Sequence, residues 1–280
     1  MNPKKQQIIN AAHHLFIKKG YNASSIQDIL DEAGISKGTF YNYFTSKSEC
    51  LIALMESIAE DIRAARISIA FGESPSDLEL FAKQLAIRIR MNHEKNLFSL
   101  YESIFYSQDE ELKVFGKSQY ILELQWLSSR IVDLFGEQAR PYALENAAIA
   151  NGALQQLMHV WRFGTEQQLP LDELTAYIVH RMKQSVEIQL KDGKRFLSDG
   201  LLAQHQQLPT LSDSARQLQA FIEQAENADI KQLLTFLADE LTAEQPRNAV
   251  LDSVLTSLGK NTESEAELQI LLEQVWRQIK

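Results

Sequence analysis

Residues 36–47 combine several side-chain types that suit contact with a polyanion. Lys37 supplies a positive charge, and Thr39 offers a methyl group and a hydroxyl group to the edge of a base. Further polar side chains that can bond phosphate oxygens or bases are Tyr41, Asn42, Tyr43 and Lys47. Gly38 lacks a side chain, so the backbone beside it can come close to a sugar-phosphate chain. These residue types and this spacing predict contact with nucleic acid.

The remaining reactive side chains do not have the spacing of a catalytic or metal site. Four histidines stand alone in the sequence, namely His93, His159, His180 and His205. The adjacent His13 and His14 must point in different directions on a helix. The scattered glycines form no phosphate-binding loop, and no serine occupies a nucleophile elbow. We therefore expect no catalytic residue, metal ion or cofactor, and a protein that is not an enzyme.

The chain has a single cysteine, Cys50, so no disulfide can form within it. Because Cys50 precedes Leu51 on a predicted apolar helix face, we interpret it as a small buried hydrophobic residue. A redox-sensing thiol is the alternative interpretation.

The polar residues of 36–47 need short helices to hold them. Ser24, followed by Gln27, predicts the capped start of a short helix, and Gly34 predicts its end in a left-handed conformation. Ser36 can cap a second helix. The apolar residues of the two helices are Ile26, Ile29, Leu30, Ile35, Phe40 and Phe44. Two short helices about a glycine turn predict a helix-turn-helix, which places its second helix in the major groove of DNA.

A third helix over residues 4–19 is predicted to complete this unit. Its apolar residues, at helical spacing, are Ile8, Ala12, Leu15 and Phe16, and Gly20 ends it. We expect these side chains to pack on the helix-turn-helix and form a three-helix core.

This region closely resembles the DNA-binding domain of the tetracycline-repressor (TetR) family of bacterial transcription regulators. The resemblance runs over about residues 5–60 and rests on residues 34–44, Gly-Ile-Ser-Lys-Gly-Thr-Phe-Tyr-Asn-Tyr-Phe, and 46–49, Ser-Lys-Ser-Glu. We predict DNA contacts at Ser25, Gln27, Ser36, Lys37, Gly38, Thr39, Tyr41, Asn42, Tyr43 and Lys47.

The charge of the chain is divided in a way that agrees with this interpretation. The formal net charge is −9, yet residues 1–48 hold six lysines and three acidic residues, which gives +3. The remainder therefore carries −12. Phosphate contact needs local positive charge, and an acidic body helps to restrict DNA to one face.

The rest of the chain predicts an all-α protein. A long helix over 47–71 is a candidate lever, followed by helices over 76–92, 95–107, 110–135, 142–163 and 172–191, and by four or five more over 193–280. We expect a DNA-binding domain at 1–48, a ligand-binding and dimerisation domain at 49–192, and a C-terminal extension of unknown role at 193–280. Members of the family usually end near the helix before residue 193, so this extension is unusually long.

No apolar run approaches the about 18 residues that a membrane helix needs. The N-terminal residues also lack the apolar segment of a signal peptide. We expect no membrane partner and a cytoplasmic location.

The resemblance implies a ligand cavity between the middle helices. Its candidate residues are Tyr101, Phe105, Trp126, Met158 and His159, for which plain core packing is the alternative. The resemblance also implies a homodimer formed by the helices at 142–163 and 172–191, where the small residues of 147–153 would allow close approach.

The predicted function is therefore a ligand-responsive repressor. It would bind a palindromic operator as a dimer and release it on binding a small apolar or amphipathic molecule. The alternative is a helical interaction protein that acts through its C-terminal extension and retains residual DNA binding. A catalytic helical domain fused to a DNA-binding unit is a third possibility.

Overall fold

The computed structural model describes residues 2–198, 201–202, 211–225, 227–243, 246–262, 268, 271–272 and 275–276. Across these residues the fold is all-α, which confirms the predicted class, and no strand occurs in the described part of the chain. Four helices form the N-terminal region: α1 (Pro3–Lys19), α2 (Ile26–Ala33), α3 (Lys37–Tyr41) and α4 (Lys47–Ser68). The middle region contains α5 (Leu78–Glu94), α6 (Phe98–Phe105), α7 (Glu110–Phe135), α8 (Arg140–Gly164) and α9 (Leu171–Asp192). Three more follow: α10 (Leu211–Gln224), α11 (Ala228–Leu241) and α12 (Asn248–Asn261).

The predicted cap of α2 is wrong by one residue. Ser25 precedes the helix, and its hydroxyl accepts a hydrogen bond from the backbone N–H of Asp28 at 3.1 Å. The Asp28 carboxylate accepts the Ser25 backbone N–H in return, at 2.7 Å. Ser24 is buried instead and donates its hydroxyl to the carbonyl of Gly20 at 2.7 Å, which satisfies an acceptor at the end of α1.

Helices α1–α4 share a hydrophobic core with α6 and the start of α7. Phe16, Phe40 and Phe44 are among its fully buried side chains. Helix α4 contributes buried residues along most of its length, namely Cys50, Leu51, Leu54, Met55, Ile58 and Ile62. The start of α4 is therefore held by the N-terminal helices, and its later turns by the middle helices.

A second core joins α5, α7, α8 and α9. Ala147 and Ala150 of α8 are buried in it, beside Leu154. These two alanines pack against neighbouring helices of the same chain. Only part of the small-residue stretch at 147–153 is therefore left facing outwards.

The C-terminal helices have a core of their own. It contains buried leucines of α10, α11 and α12, together with Leu268, Leu271, Leu272 and Val275. In the described residues this cluster shares no member with the other two cores.

The C-terminal helices also meet the end of α4. Phe71, just after α4, lies against Gly259 of α12. A Cβ atom at position 259 would overlap the ring of Phe71, so a larger residue there would force the ring to move.

The helix predicted at Phe196–Leu202 is not present over its described residues. Gly193 ends α9 with φ of 71°, and the following segment bonds to α8. The backbone N–H groups of Phe196 and Leu197 donate to one carboxylate oxygen of Glu145, at 2.6 and 2.8 Å. These N–H groups donate to a carboxylate on another helix. The Phe196 side chain is 90% exposed, so it does not provide the apolar packing that stabilises an amphipathic helix.

We expect the Glu145 carboxylate to hold residues 193–198 against α8. Replacing Glu145 with Ala removes the acceptor for two backbone N–H groups, so trypsin should cleave after Lys194 and Arg195 several times faster than in the wild type. Timed proteolysis with mass spectrometry measures this rate. Glu187→Ala, which removes an exposed carboxylate from α9, is the control and should leave the rate unchanged. Equal rates in Glu145→Ala and the wild type would contradict the assignment.

Candidate nucleic-acid interface and interior cavity

Helix α3 is short and is oriented by a single buried ring. Gly34 ends α2 with φ of 60°, and the Ser36 hydroxyl caps α3 by accepting the backbone N–H of Thr39 at 3.1 Å. Phe40 is fully buried under the helix. The predicted contact residues on the opposite side are exposed, namely Ser36, Lys37, Gly38, Tyr41 and Asn42, while Thr39 and Tyr43 are half-buried. The polar face of α3 therefore points away from the core.

Two contacts order the side chains of this face. The hydroxyl groups of Ser36 and Thr39 lie 2.9 Å apart and share a hydrogen bond, which leaves the Thr39 methyl group for apolar contact. The ammonium of Lys37 lies 5.9 Å from the centre of the Tyr41 ring. Lys37 thus keeps its charge at the exposed surface of α3.

The start of α1 lies beside the end of α3. The Tyr43 hydroxyl donates to the side-chain oxygen of Asn2 over 3.4 Å, and the same oxygen accepts the backbone N–H of Lys4. Lys5 lies over the Phe44 ring, 5.6 Å from its centre. Asn2, Lys4 and Lys5 are therefore further candidates for phosphate contact. The lysine pair beside Pro3 was the signal in the sequence that could have identified them.

Ser25 and Gln27 lie at the exposed start of α2, where both bond to neighbouring carboxylates. The Ser25 hydroxyl donates to Asp28 at 2.6 Å, and Gln27 donates to Asp31 at 2.8 Å. Lys19 also bonds Asp28, and this bond, followed by that from Ser25, holds the pKa of the Asp28 carboxyl well below its usual range. DNA contact by Ser25 or Gln27 stays a prediction.

Lys47 makes contacts that its position in the sequence did not indicate. Its ammonium donates to the backbone carbonyls of Tyr21 and Ser24, at 2.8 and 2.7 Å, and lies 4.2 Å from the centre of the Tyr21 ring. Burial lowers the pKa of Lys47. Two of its three N–H groups therefore bind the turn between α1 and α2, and phosphate contact by Lys47 stays a prediction.

Cys50 is fully buried, and burial raises the pKa of its thiol to about 12. The thiol is therefore protonated at neutral pH, which favours the structural interpretation over a redox sensor.

A cavity of about 840 Å³ lies between α4, α5, α6, α7 and α8. All five predicted ligand residues line it: Tyr101, Phe105, Trp126, Met158 and His159. Phe105 and His159 are exposed at its rim, while Tyr101, Trp126 and Met158 are half-buried. Three of these residues, namely Tyr101, Trp126 and Met158, also pack against the two cores. They line the cavity and take part in core packing at the same time.

A buried ion pair forms part of the cavity wall and was not predicted. Arg66 of α4 donates two hydrogen bonds to the carboxylate of Glu123 on α7, at 3.1 and 2.8 Å. Its guanidinium also donates to the carbonyl of Gln84 and lies 3.5 Å from the centre of the Trp126 ring. Burial alone would raise the pKa of Glu123, but Arg66 and Arg88 outweigh it and lower that pKa to about 2.

No group of histidine, cysteine and acidic side chains with metal-ligand geometry occurs in the described part of the structure. None of the described helices is both long enough and apolar enough to cross a membrane.

Replacing Lys47 with Met should destabilise the N-terminal helices. It removes two charge-assisted hydrogen bonds to buried carbonyls, so we expect a loss of about 2 kcal/mol in the free energy of unfolding. Urea denaturation followed by circular dichroism measures it. The matched control is Lys37→Met, which removes an exposed ammonium and should leave stability within about 0.5 kcal/mol. A Lys47→Met protein as stable as this control would show that the ammonium does not hold the turn.

Comparison with known proteins agrees with the geometry of α1–α4. The model of the bacterial regulatory proteins of the tetR family matches residues 8–54. The chain is similar to the HTH-type transcriptional regulator YerO of Bacillus subtilis (strain 168), at 25% identity over 95% of this chain and 93% of that protein. It is also similar to YuxN of the same organism, at 25% identity over 98% of this chain and 99% of that protein.

Both alignments leave at most a twentieth of this chain uncovered, so most of the C-terminal helices lie within them. A crystal structure of a transcriptional regulator (TerR/AcrR family) from Aquifex aeolicus VF5 matches 66% of this chain and 98% of that chain, at 20% identity and a TM-score of 0.45. One conclusion follows from the helix-turn-helix geometry, the family match to it and the regulators that align along most of the chain. The N-terminal helices are a DNA-binding domain of the tetR type, in a chain that is similar along most of its length to HTH-type transcriptional regulators.

Proposed function

We propose that the protein is a dimeric repressor that binds a palindromic operator and releases it when a small amphipathic molecule enters the cavity. The observation that carries this proposal is the course of α4. Its first turn follows α3, and Met55, Ile62 and Arg66 further along it line the cavity. A single helix thus connects the DNA-binding helices with the cavity wall.

The exposed face of α3 supports the DNA-binding part of the proposal. Thr39 and Asn42 offer groups that read base edges, whereas Lys37, Tyr41 and Tyr43 offer groups for phosphate oxygens. A short helix reads only a few base pairs. Useful affinity therefore needs two copies at half-sites about one helical turn apart, on a palindromic site.

An apolar surface on α8 and α9 supports the homodimer. Ile149 and Val160 of α8 lie three helical turns apart on one side, and Tyr177 and Ile188 of α9 have the same separation. All four side chains are more than half exposed, as is Phe163 at the end of α8. We propose that these faces pack on their counterparts in a second copy as a four-helix bundle.

Release of DNA requires the ligand to prefer one conformation. A shift from 1% to 99% of the DNA-incompetent state takes about 5.5 kcal/mol of differential affinity. We propose that a ligand in the cavity moves α4 and so changes the distance between the two copies of α3 in the dimer. Since chromosomal DNA is the target, we propose that the protein acts in the cytoplasm.

The separate core of α10–α12 favours a second candidate function, in which these helices dock a partner protein and DNA binding is residual. Selection of duplexes from a random pool by the full-length protein separates the two candidates. Enrichment of an inverted repeat is expected for the repressor. A pool that stays random after repeated selection would contradict it and favour the second candidate.

Thr39→Ala and Lys37→Ala should affect DNA binding differently. Loss of the Thr39 side chain should cost about 1–3 kcal/mol on the selected sequence and little on random duplex. Loss of Lys37 should weaken binding to both and reduce the salt dependence by about one phosphate contact. Binding titrations at several salt concentrations measure both effects.

The control for this pair is Lys18→Ala, which removes an exposed lysine from the far end of α1. It should leave both affinity and salt slope near those of the wild type. Identical effects of Thr39→Ala and Lys37→Ala would show that the two side chains do not divide base and phosphate contact in this way.

Val160→Asp should convert the dimer to a monomer, because it places a charge in the proposed apolar interface. Size-exclusion chromatography with light scattering at micromolar concentration measures the mass. Val114→Asp is a matched control, since Val114 of α7 is 61% exposed and Val160 is 66% exposed. A Val160→Asp protein that remains dimeric would place the interface elsewhere.

A ligand that fills the cavity should raise the melting temperature and weaken operator binding together. The measurement is a screen of small amphipathic molecules by thermal shift, followed by operator titration with each stabilising compound. Ala59→Phe, which adds a ring to the cavity wall on α4, should abolish both effects. Compounds that stabilise the protein through the cavity but leave operator affinity unchanged would contradict the switch.

A further inference from the structure

The charges around the cavity are unequal. Among the described residues that line it, four are arginines and two are acidic: Arg63, Arg66, Arg88, Arg162, Glu123 and Glu166. Arg162 and Glu166 are both exposed at the surface, which leaves three arginines, Arg63, Arg66 and Arg88, with Glu123 within the wall. The interior of the cavity therefore carries an excess of positive charge.

Arg88 contributes to this excess and lies beside polar groups that could join it in binding an anion. Both carboxylate oxygens of Glu123 accept hydrogen bonds from Arg66, whereas Arg88 approaches one of them only to 3.4 Å. Arg88 donates one hydrogen bond to the side-chain oxygen of Asn151, at 2.9 Å. The side chain of Arg88 is 23% exposed, so most of it is removed from water. The carboxylate near it, that of Glu123, is shared with Arg66. Such a charge favours a further anion beside it.

Two neutral donors lie with Arg88 at the cavity wall. Asn151 lines the cavity and is 5% exposed, and its side-chain oxygen accepts from Arg88, which leaves its NH₂ group as a donor. This NH₂ group has no acceptor among the described protein groups. Burial raises the pKa of Tyr101, so its hydroxyl is protonated, and it donates only over a long 3.4 Å to Asn92.

The remainder of the cavity is suited to an apolar body. Ile62, Ile104, Phe115, Leu154 and Met158 line it, and Phe98 and Phe105 are exposed at its rim. An uncharged apolar molecule would cover Arg88 without supplying a partner, which costs free energy, and a cationic molecule would be repelled.

We propose that the effector is an amphipathic organic anion, whose single negative head group binds Arg88, the Tyr101 hydroxyl and the Asn151 amide. Its apolar body lies along the aliphatic and aromatic wall. This inference rests on the proposed function, because it assumes that the cavity takes a ligand. It adds the charge of that ligand and the residues that read it.

The test uses the full-length protein and two fluorescent probes of nearly the same shape. Anilinonaphthalene sulfonate carries one negative charge, and phenylnaphthylamine is its uncharged parent. Each is titrated against the wild type and four variants, with circular dichroism to verify the fold. Arg88→Met removes the proposed anion contact. Arg90→Met is its matched control, since Arg90 lies on the same helix, is exposed and pairs with Asp172 away from the cavity.

Arg88→Met should weaken binding of the sulfonate at least about tenfold and change binding of the neutral probe less than about twofold. Arg90→Met should leave both probes unchanged. Tyr101→Phe removes only a hydroxyl and should weaken the sulfonate alone, several-fold, which keeps the test decisive if Arg88→Met fails to fold. Equal effects on both probes, or none, would overturn the assignment of an anion.

Ala59→Phe separates this inference from the proposed function. If it abolishes binding of both probes while Arg88→Met does not distinguish them, the cavity takes ligands but does not select anions. If both probes bind Ala59→Phe as tightly as the wild type, they do not occupy the cavity, and the ligand-binding proposal fails as well.

Discussion

Helix α4 packs against both the N-terminal helices and the middle helices, and the rest of the structure depends on this constraint. The helix has 22 residues and is about 33 Å long. Its first turns are buried against α1, and its later turns against α5 and α7. An α-helix resists bending over this length, so the orientation of the N-terminal helices is tied to the packing of the middle helices. The positions of α3 and of the cavity follow from the same element.

The far end of α4 is fixed by polar as well as apolar contacts. Arg66 is almost fully buried and needs partners for its guanidinium, which come from α7, through Glu123, and from α5, through the carbonyl of Gln84. Gln84 also donates to the carbonyl of Arg66 and accepts from Arg130. A buried network of this kind is stable only when each member is satisfied, so it permits few alternative positions for the three helices.

The sequence allowed much of the fold to be predicted, because helix signals are local. The bounds of α7, Glu110–Phe135, follow from Asp109 before it and Gly136 after it. The helix predicted at Phe196–Leu202 failed because a distant carboxylate, Glu145, competes for its backbone N–H groups. The contacts of Lys47 and the Arg66–Glu123 pair could not be predicted for a related reason. Their partners lie far apart in the sequence and have no characteristic spacing.

The contact between Phe71 and Gly259 has a consequence for how the chain can diverge. Because a side chain at position 259 would occupy the space of the ring, mutations at the two positions are not independent. A larger residue at 259 requires a smaller one at 71, a rotated Phe71 ring or a changed path of α12. Evolution of the C-terminal helices is therefore restricted by a residue that directly follows α4, almost 190 positions earlier in the chain.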